Sequence, residues 1–129
     1  MKIYTTSRED YLKAVLALEK QNGEVHSVDV ARYLGVSKPS VSREVSVLEE
    51  SGLLTMEKDY SLHFTEEGRK IAEKTYDKHQ FFKNRLLEAG VDSKTAAEDA
   101  CRLEHAISDT SFEKLKRAFE EQNVKNSKK

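Results

Sequence analysis

Residues 27–52 constrain the fold of this chain more tightly than any other stretch. Ser27 opens an apolar run at helical spacing, Val28, Ala31 and Leu34, which Gly35 stops after about two turns. Ser37 then caps a second run. Pro39 falls in its permissive first turn, and Val41, Val45 and Leu48 form one stripe until Ser51-Gly52 ends it. Two short amphipathic helices joined by Gly35-Val36-Ser37 are a helix-turn-helix signal. The flanks extend it. Thr6-Ser7-Arg8-Glu9 reads as a capping box that opens a first helix with Tyr11, Leu12, Val15, Leu16 and Leu18 on its face, closed by Asn22-Gly23. Residues 53–57 and 60–65 carry strand-forming side chains around a Lys58-Asp59 turn. Three helices followed by a hairpin make a winged helix-turn-helix.

The second half is helical throughout. Thr65 is placed to cap a long helix reaching Ala89, with Gly90 as its stop and Ile71, Ala72, Tyr76, Phe82 and Leu86 on its apolar face. At about 37 Å it is longer than a helix following a wing needs, so it carries the chain into a second unit. Asp92 or Ser93 caps the next helix, about residues 94–108, whose apolar stripe is Ala96, Ala100, Leu103 and Ile107. Thr110-Ser111-Phe112-Glu113 is another capping box, opening a last helix with Phe112, Leu115 and Phe119 on one side. The expected fold is mostly α: a winged helix-turn-helix domain over 1–65, a helical domain over 66–123, and a flexible polar tail over 124–129. The apolar faces of the helices after Thr65 exceed what one small unit can cover, which points to a homodimer.

Composition excludes several classes. Lys and Arg number 22 against 23 Asp and Glu, a net charge of −1, so any basic footprint for nucleic acid must be local. One cysteine rules out an internal disulfide framework and fits a reducing, cytoplasmic setting. The start, Met1-Lys2-Ile3-Tyr4-Thr5, has no apolar run of signal-peptide length, and no stretch is long enough to span a membrane.

The local basic footprint lies at the start of the third helix. Ser37, Lys38, Ser40, Ser42 and Arg43 crowd around Pro39, with no acid until Glu44. Basic and hydroxyl side chains at a helix N-terminus suit phosphates and base edges. Lys58 adds a wing charge, with Tyr60 or His63 as further backbone contacts. In isolation the cluster also reads as a capped surface helix. With the two-helix spacing and the wing, double-stranded DNA is the expected partner, a dimer reading two half-sites making up for the modest charge of one protomer.

A second constellation lies near the other end. Cys101, Glu104 and His105 stand at i, i+3 and i+4, which puts a thiol, a carboxylate and an imidazole on one side of a helix. Such mixed donors suit a divalent transition metal. The alternatives are an inert cysteine beside a surface Glu-His pair, or a thiolate nucleophile activated by His105. No orienting third group or glycine-rich oxyanion element accompanies the pair, so an enzyme is not expected. His79 sits near the apolar face of the long helix, where a lone histidine is ordinarily an interface residue. Asp10 by itself reads as a first-turn acid favoured by the helix dipole.

Over residues 7–122 the sequence resembles the iron- and manganese-dependent repressors of the diphtheria toxin repressor family. The resemblance rests on Asp10-Tyr11-Leu12, on Val36-Ser37-Lys38-Pro39-Ser40-Val41-Ser42 leading to Leu48-Glu49-Glu50-Ser51-Gly52-Leu53, and on Ser61-Leu62-His63-Phe64-Thr65-Glu66-Glu67-Gly68. Lys78-His79 and, most specifically, Asp99-Ala100-Cys101-Arg102-Leu103-Glu104-His105-Ala106-Ile107-Ser108-Asp109 complete it. It implies that Cys101, Glu104 and His105 form an activating metal site completed by Asp10, and that His79 falls at a ligand position for an ancillary or second metal. The chain mixes two branches, with Asp10 of the manganese-sensing type and Cys101 of the iron-sensing type. It departs from both elsewhere: Lys83 and Ala97 stand where iron-sensing relatives have ligands, and Lys13 where manganese-sensing relatives have a Glu. One tight metal per protomer is therefore expected. The resemblance is to a short form, expected to lack the C-terminal SH3-like domain of the long members.

The reading that follows is a homodimeric, Fe²⁺- or Mn²⁺-activated transcriptional repressor of metal-homeostasis genes, in which Co²⁺, Ni²⁺ or Zn²⁺ would substitute in vitro because raw affinity follows the Irving–Williams order. The alternative is a winged-helix regulator of another signal with a vestigial metal site.

Overall fold

A computed structural model of the chain describes residues 8–127. Thr6 and Ser7, the expected cap of the first helix, lie outside the described residues. The element order is α1 (Arg8–Asn22), α2 (Ser27–Leu34), α3 (Lys38–Glu50), β1 (Leu54–Met56), β2 (Leu62–Phe64), α4 (Glu66–Glu88), α5 (Ser93–Ala106) and α6 (Asp109–Ser127). The chain forms two compact units, one ending at Tyr76 and the other beginning at Asp77. No helix among the described residues is long and apolar enough to cross a membrane.

The first unit is a winged helix-turn-helix. Leu12, Val15 and Leu16 of α1, Val30 of α2, and Val41, Val45 and Leu48 of α3 are almost fully buried together with Val25, Leu54 and Leu62. Gly35 ends α2 in the left-handed region at φ 69°, a conformation glycine adopts without steric cost. Ser37 caps α3 as expected, its Oγ accepting from the Ser40 N–H at 3.2 Å.

Ser27 is not the cap of α2. His26 takes that position, and the Asp29 carboxylate accepts from the His26 N–H at 2.9 Å. The cause lies in the wing. The Ser27 N–H donates to the Tyr60 carbonyl and the Leu62 N–H to the Val25 carbonyl, which draws residues 25–27 alongside β2 and makes a bridge between His26 and Ser61. The hairpin is tighter than its sequence segments suggest. β1 and β2 pair antiparallel over three residues each, Leu54 facing Phe64 and Met56 facing Leu62. Between them Tyr60 turns the chain at φ 67°. Asp59 accepts from both the N–H and the hydroxyl of Ser61, at 3.0 and 2.6 Å, and these bonds hold its carboxyl below the usual range.

Thr65 caps α4 as expected and also ties it to the preceding turn. Its hydroxyl accepts from the Gly68 N–H at 3.0 Å and donates to the Gly52 carbonyl at 2.7 Å. Gly68, Ala72 and Thr75 follow as the buried line of this helix. The break in packing falls inside α4, about three turns after its start. Residues 66–76 belong to the first unit because small side chains let the helix lie against Leu53, and because Arg69 clamps Glu19 of α1 through two bonds of 2.9 and 3.0 Å.

The second unit packs residues 77–88 of α4 with α5 and α6. Phe81 makes edge contacts with Phe82, Phe112 and Phe119 at centroid distances of 5.4–5.6 Å, and Arg85 lies over the Phe119 ring at 3.8 Å. Asp92 caps α5, accepting from the Thr95 N–H at 3.1 Å. The buried line of α5 is Ala96, Ala100 and Glu104; Leu103, expected in the apolar stripe, is 39 % exposed. α6 starts at Asp109, earlier than the Thr110 capping box suggests. Ser108 accepts from the Ser111 N–H at 3.1 Å, and Lys78 holds Asp109 at 2.8 Å. The helix also runs on to Ser127, where a flexible tail from residue 124 was expected. Residues 120–127 contain neither glycine nor proline, so nothing in them stops it.

A Cβ at Gly68 would collide with the Leu53 backbone carbonyl, which cannot swing away as a side chain tip can. Gly68→Ala should destabilise the first unit by about 1–3 kcal/mol through overpacking. Urea unfolding measures this, and unchanged stability would show that α4 does not approach Leu53 so closely.

Candidate metal centre and DNA-facing helix

Within the second unit, α5 delivers Cys101, Glu104 and His105 from a single turn of helix. One donor atom from each, a thiol sulfur, a carboxylate oxygen and a ring nitrogen, lies within 4.8 Å of the others. The carboxylate is the fixed point. Glu104 is 3 % exposed, its Oε1 lies 2.8 Å from His79 Nδ1, and its Oε2 lies 3.4 Å from His105 Nε2. Cys101 is half-buried beside it and His105 reaches the surface. A buried carboxylate is costly unless positive charge or hydrogen-bond donors surround it. A thiolate, a carboxylate and an imidazole together suit a first-row transition cation and not Ca²⁺ or Mg²⁺, which prefer all-oxygen shells. The donor set therefore fits a metal of that class.

The histidine on α4 sits in a way its sequence position did not suggest. His79 Nδ1 meets the oxygen of Glu104 opposite the one facing His105, so it stands behind the carboxylate and orients it. The only sequence signal for this pairing is a histidine on the inward side of the long helix. In the first unit, Asp10 is buried in the first turn of α1, and Lys13 Nζ lies 3.7 Å from its Oδ1. Lys13 is itself mostly buried, its side chain 14 % exposed, so it does not reach away to solvent.

On α3 the expected DNA-facing residues are presented together. Ser37 is the cap, Lys38, Pro39, Ser42 and Arg43 are exposed, and Ser40 is half-buried. Hydroxyls link along the helix start: Ser37 Oγ is 2.8 Å from Ser40 Oγ, and Arg43 Nη2 donates to Ser40 Oγ at 3.4 Å. Lys38 and Ser42 also line a hollow of about 360 Å³ shared with Val28 and Tyr60, which joins the start of α3 to the wing. Lys58 is exposed in the wing turn, and Tyr60 beside it is 64 % exposed. Tyr60 and Val28 add apolar surface to this face.

Comparison with known proteins places the two halves in one family. Residues 4–62 match the iron dependent repressor N-terminal DNA binding domain, and residues 65–125 match the iron dependent repressor metal binding and dimerisation domain. An uncharacterized HTH-type transcriptional regulator of Methanocaldococcus jannaschii is 37% identical over 112 residues, covering 85% of this chain and 90% of that protein. The transcriptional regulator MntR of Escherichia coli O6:H1 is 34% identical over 105 residues, covering 81% of this chain and 68% of its own length. The solved structure of the manganese regulator SloR matches 91% of this chain with a TM-score of 0.77 at 28% identity, and the chain spans 55% of that protein. The named relatives are transcriptional regulators. The chain belongs to the iron-dependent repressor family of metal-dependent transcriptional repressors.

Proposed function

We propose that the chain works, within this family, as a repressor of metal-homeostasis genes activated by Fe²⁺ or Mn²⁺, with Cys101, Glu104 and His105 holding the cation and Asp10 supplying a fourth donor. The observation that carries this reading is the convergence of thiol, carboxylate and imidazole on one turn of α5 around a buried Glu104. Asp10 enters through the family resemblance. Glu104 presents Oε2 to the site while His79 holds Oε1, which fixes the carboxylate in one orientation. Cys101 must give up its thiol proton to act as a ligand, and His105 must be neutral. The bound cation supplies positive charge that three such donors together favour, and it stabilises the DNA-binding state by its greater affinity for that state.

Lys13 supports a single cation per chain. Its ammonium lies beside Asp10 and repels a further divalent ion by on the order of a few kcal/mol at a partly shielded site. The resemblance gives His79 an ancillary ligand position, and its Nδ1 lies 2.8 Å from Glu104 Oε1, beside the same cation. The partner is an operator in double-stranded DNA, met by α3 in the major groove with Lys38 and Lys58 on phosphates. The protein acts as a homodimer in the cytoplasm. Exposed Leu87, Leu103, Leu115 and Val124, all in the second unit, support the dimer.

Binding of a labelled duplex from the chain's own promoter tests the reading. Mn²⁺ or Fe²⁺ should tighten binding roughly 5- to 150-fold over chelator, the usual range of allosteric coupling. Lys38→Ala should weaken DNA binding and leave metal affinity alone. Equal affinity with metal and with chelator would refute the sensor.

Metal titration gives a second outcome. One tight equivalent of Mn²⁺ per chain is expected, rising to two in Lys13→Glu. Two tight equivalents in the unaltered chain would show that Lys13 does not bar the second position.

A further inference from the structure

We infer that Arg43 is the residue that sets operator sequence, by reading a guanine in each half-site through its guanidinium fork. The inference rests on the repressor reading above and adds to it the base that is recognised. Val41, Val45 and Leu48 bury one face of α3. At about 100° per residue, Arg43 lies about 200° round from Val41, on the outermost line of the helix. Pro39 and Ser46 share that line, and both are too short to reach past the groove edge and carry no charge. Glu50 lies on it too, but in the last turn, where it would be repelled by phosphates. Arg43 is thus the one long donor on the outward line of the first two turns. Lys38 points to the flank, towards the hollow by the wing, a placement suited to the backbone.

The surroundings prepare Arg43 for a neutral acceptor. It is exposed, and its Nη2 rests on a hydroxyl, Ser40 Oγ, at 3.4 Å. Ser40 is in turn held by the cap Ser37 at 2.8 Å, so the guanidinium is steadied at the end of a short polar chain along the helix. The neighbouring acid, Glu44, is turned towards Arg8 at 3.7 Å. A guanidinium offers two parallel N–H donors, and among base edges in the major groove only guanine presents two adjacent acceptors, O6 and N7, that match them.

The test is selection of bound duplexes from a randomised pool by the full-length, Mn²⁺-loaded chain, followed by affinity measurements on the selected sites. The unaltered protein should select a fixed guanine at one position of each half-site. Arg43→Ala should bind that site about 5- to 150-fold more weakly and lose the preference at that position alone, with its metal affinity and its salt dependence unchanged. Arg43→Gln should move the preference at the same position from guanine to adenine, because an amide pairs with adenine N6 and N7. This gain shows that a weakened variant is still folded. Retention of the guanine by Arg43→Ala would overturn the assignment. An even loss across all sequences with a shallower salt slope would also overturn it, making Arg43 a phosphate contact. If the metal-loaded unaltered chain selects no sequence, the repressor reading fails and the Arg43 assignment with it. If it selects a site without a fixed guanine, only the Arg43 assignment fails.

Discussion

A carboxylate buried on the inward line of a helix is the constraint around which the second unit is organised. Glu104 follows Ala96 and Ala100 at a spacing where an apolar side chain would ordinarily complete the core. Its burial is tolerable only where donors or positive charge meet both oxygens, and the structure brings His79 to one and His105 to the other. With Glu104 on the inward line Leu103 faces outward, and Cys101 and His105, one turn and one residue away, bring donor atoms within 4.8 Å of the same carboxylate. A donor set made this way is held by helix geometry, so its spacing does not depend on a loop.

The first unit is built for a different demand, a firm platform under an exposed helix. The stripe of Val41, Val45 and Leu48 anchors α3, while its opposite face stays free of core duties and carries the polar chemistry. The wing is fastened twice: residues 25–27 pair with β2, and Thr65 joins the wing's far end to both the Gly52 turn and the start of α4. The close approach of Gly68 to Leu53 and the Arg69–Glu19 clamp then commit the first turns of α4 to this platform. One continuous helix therefore belongs to the DNA-facing unit at its start and to the metal-bearing unit at its end.

Much of this was legible from residue spacing. The caps Ser37, Thr65 and Asp92, the stop at Gly35 and the i, i+3, i+4 trio on α5 are local signals, and each acts within a few residues of itself. Two of the misses share a cause, which is contact between segments distant in sequence. Ser27 lost its capping role because its N–H is claimed by Tyr60, thirty-three positions on. Leu103 and Glu104 exchanged the roles that hydrophobicity alone would give them because His79 lies twenty-five positions away on α4. The start of α6 moved for a local reason, since Ser108 supplies the cap and its hydroxyl accepts from the Ser111 N–H. Lys13 beside Asp10 is the opposite case: an i, i+3 neighbour on one helix, readable without any tertiary knowledge.

X-ray absorption on the Zn²⁺-loaded chain reports whether one cation is held by sulfur, oxygen and nitrogen donors from α5. That arrangement gives a single sulfur neighbour at about 2.3 Å with the remaining nitrogen and oxygen neighbours at about 2.0–2.2 Å, and loss of the sulfur shell in Cys101→Ser. A first shell of nitrogen and oxygen alone in the unaltered chain, or the same spectrum from both proteins, would contradict it.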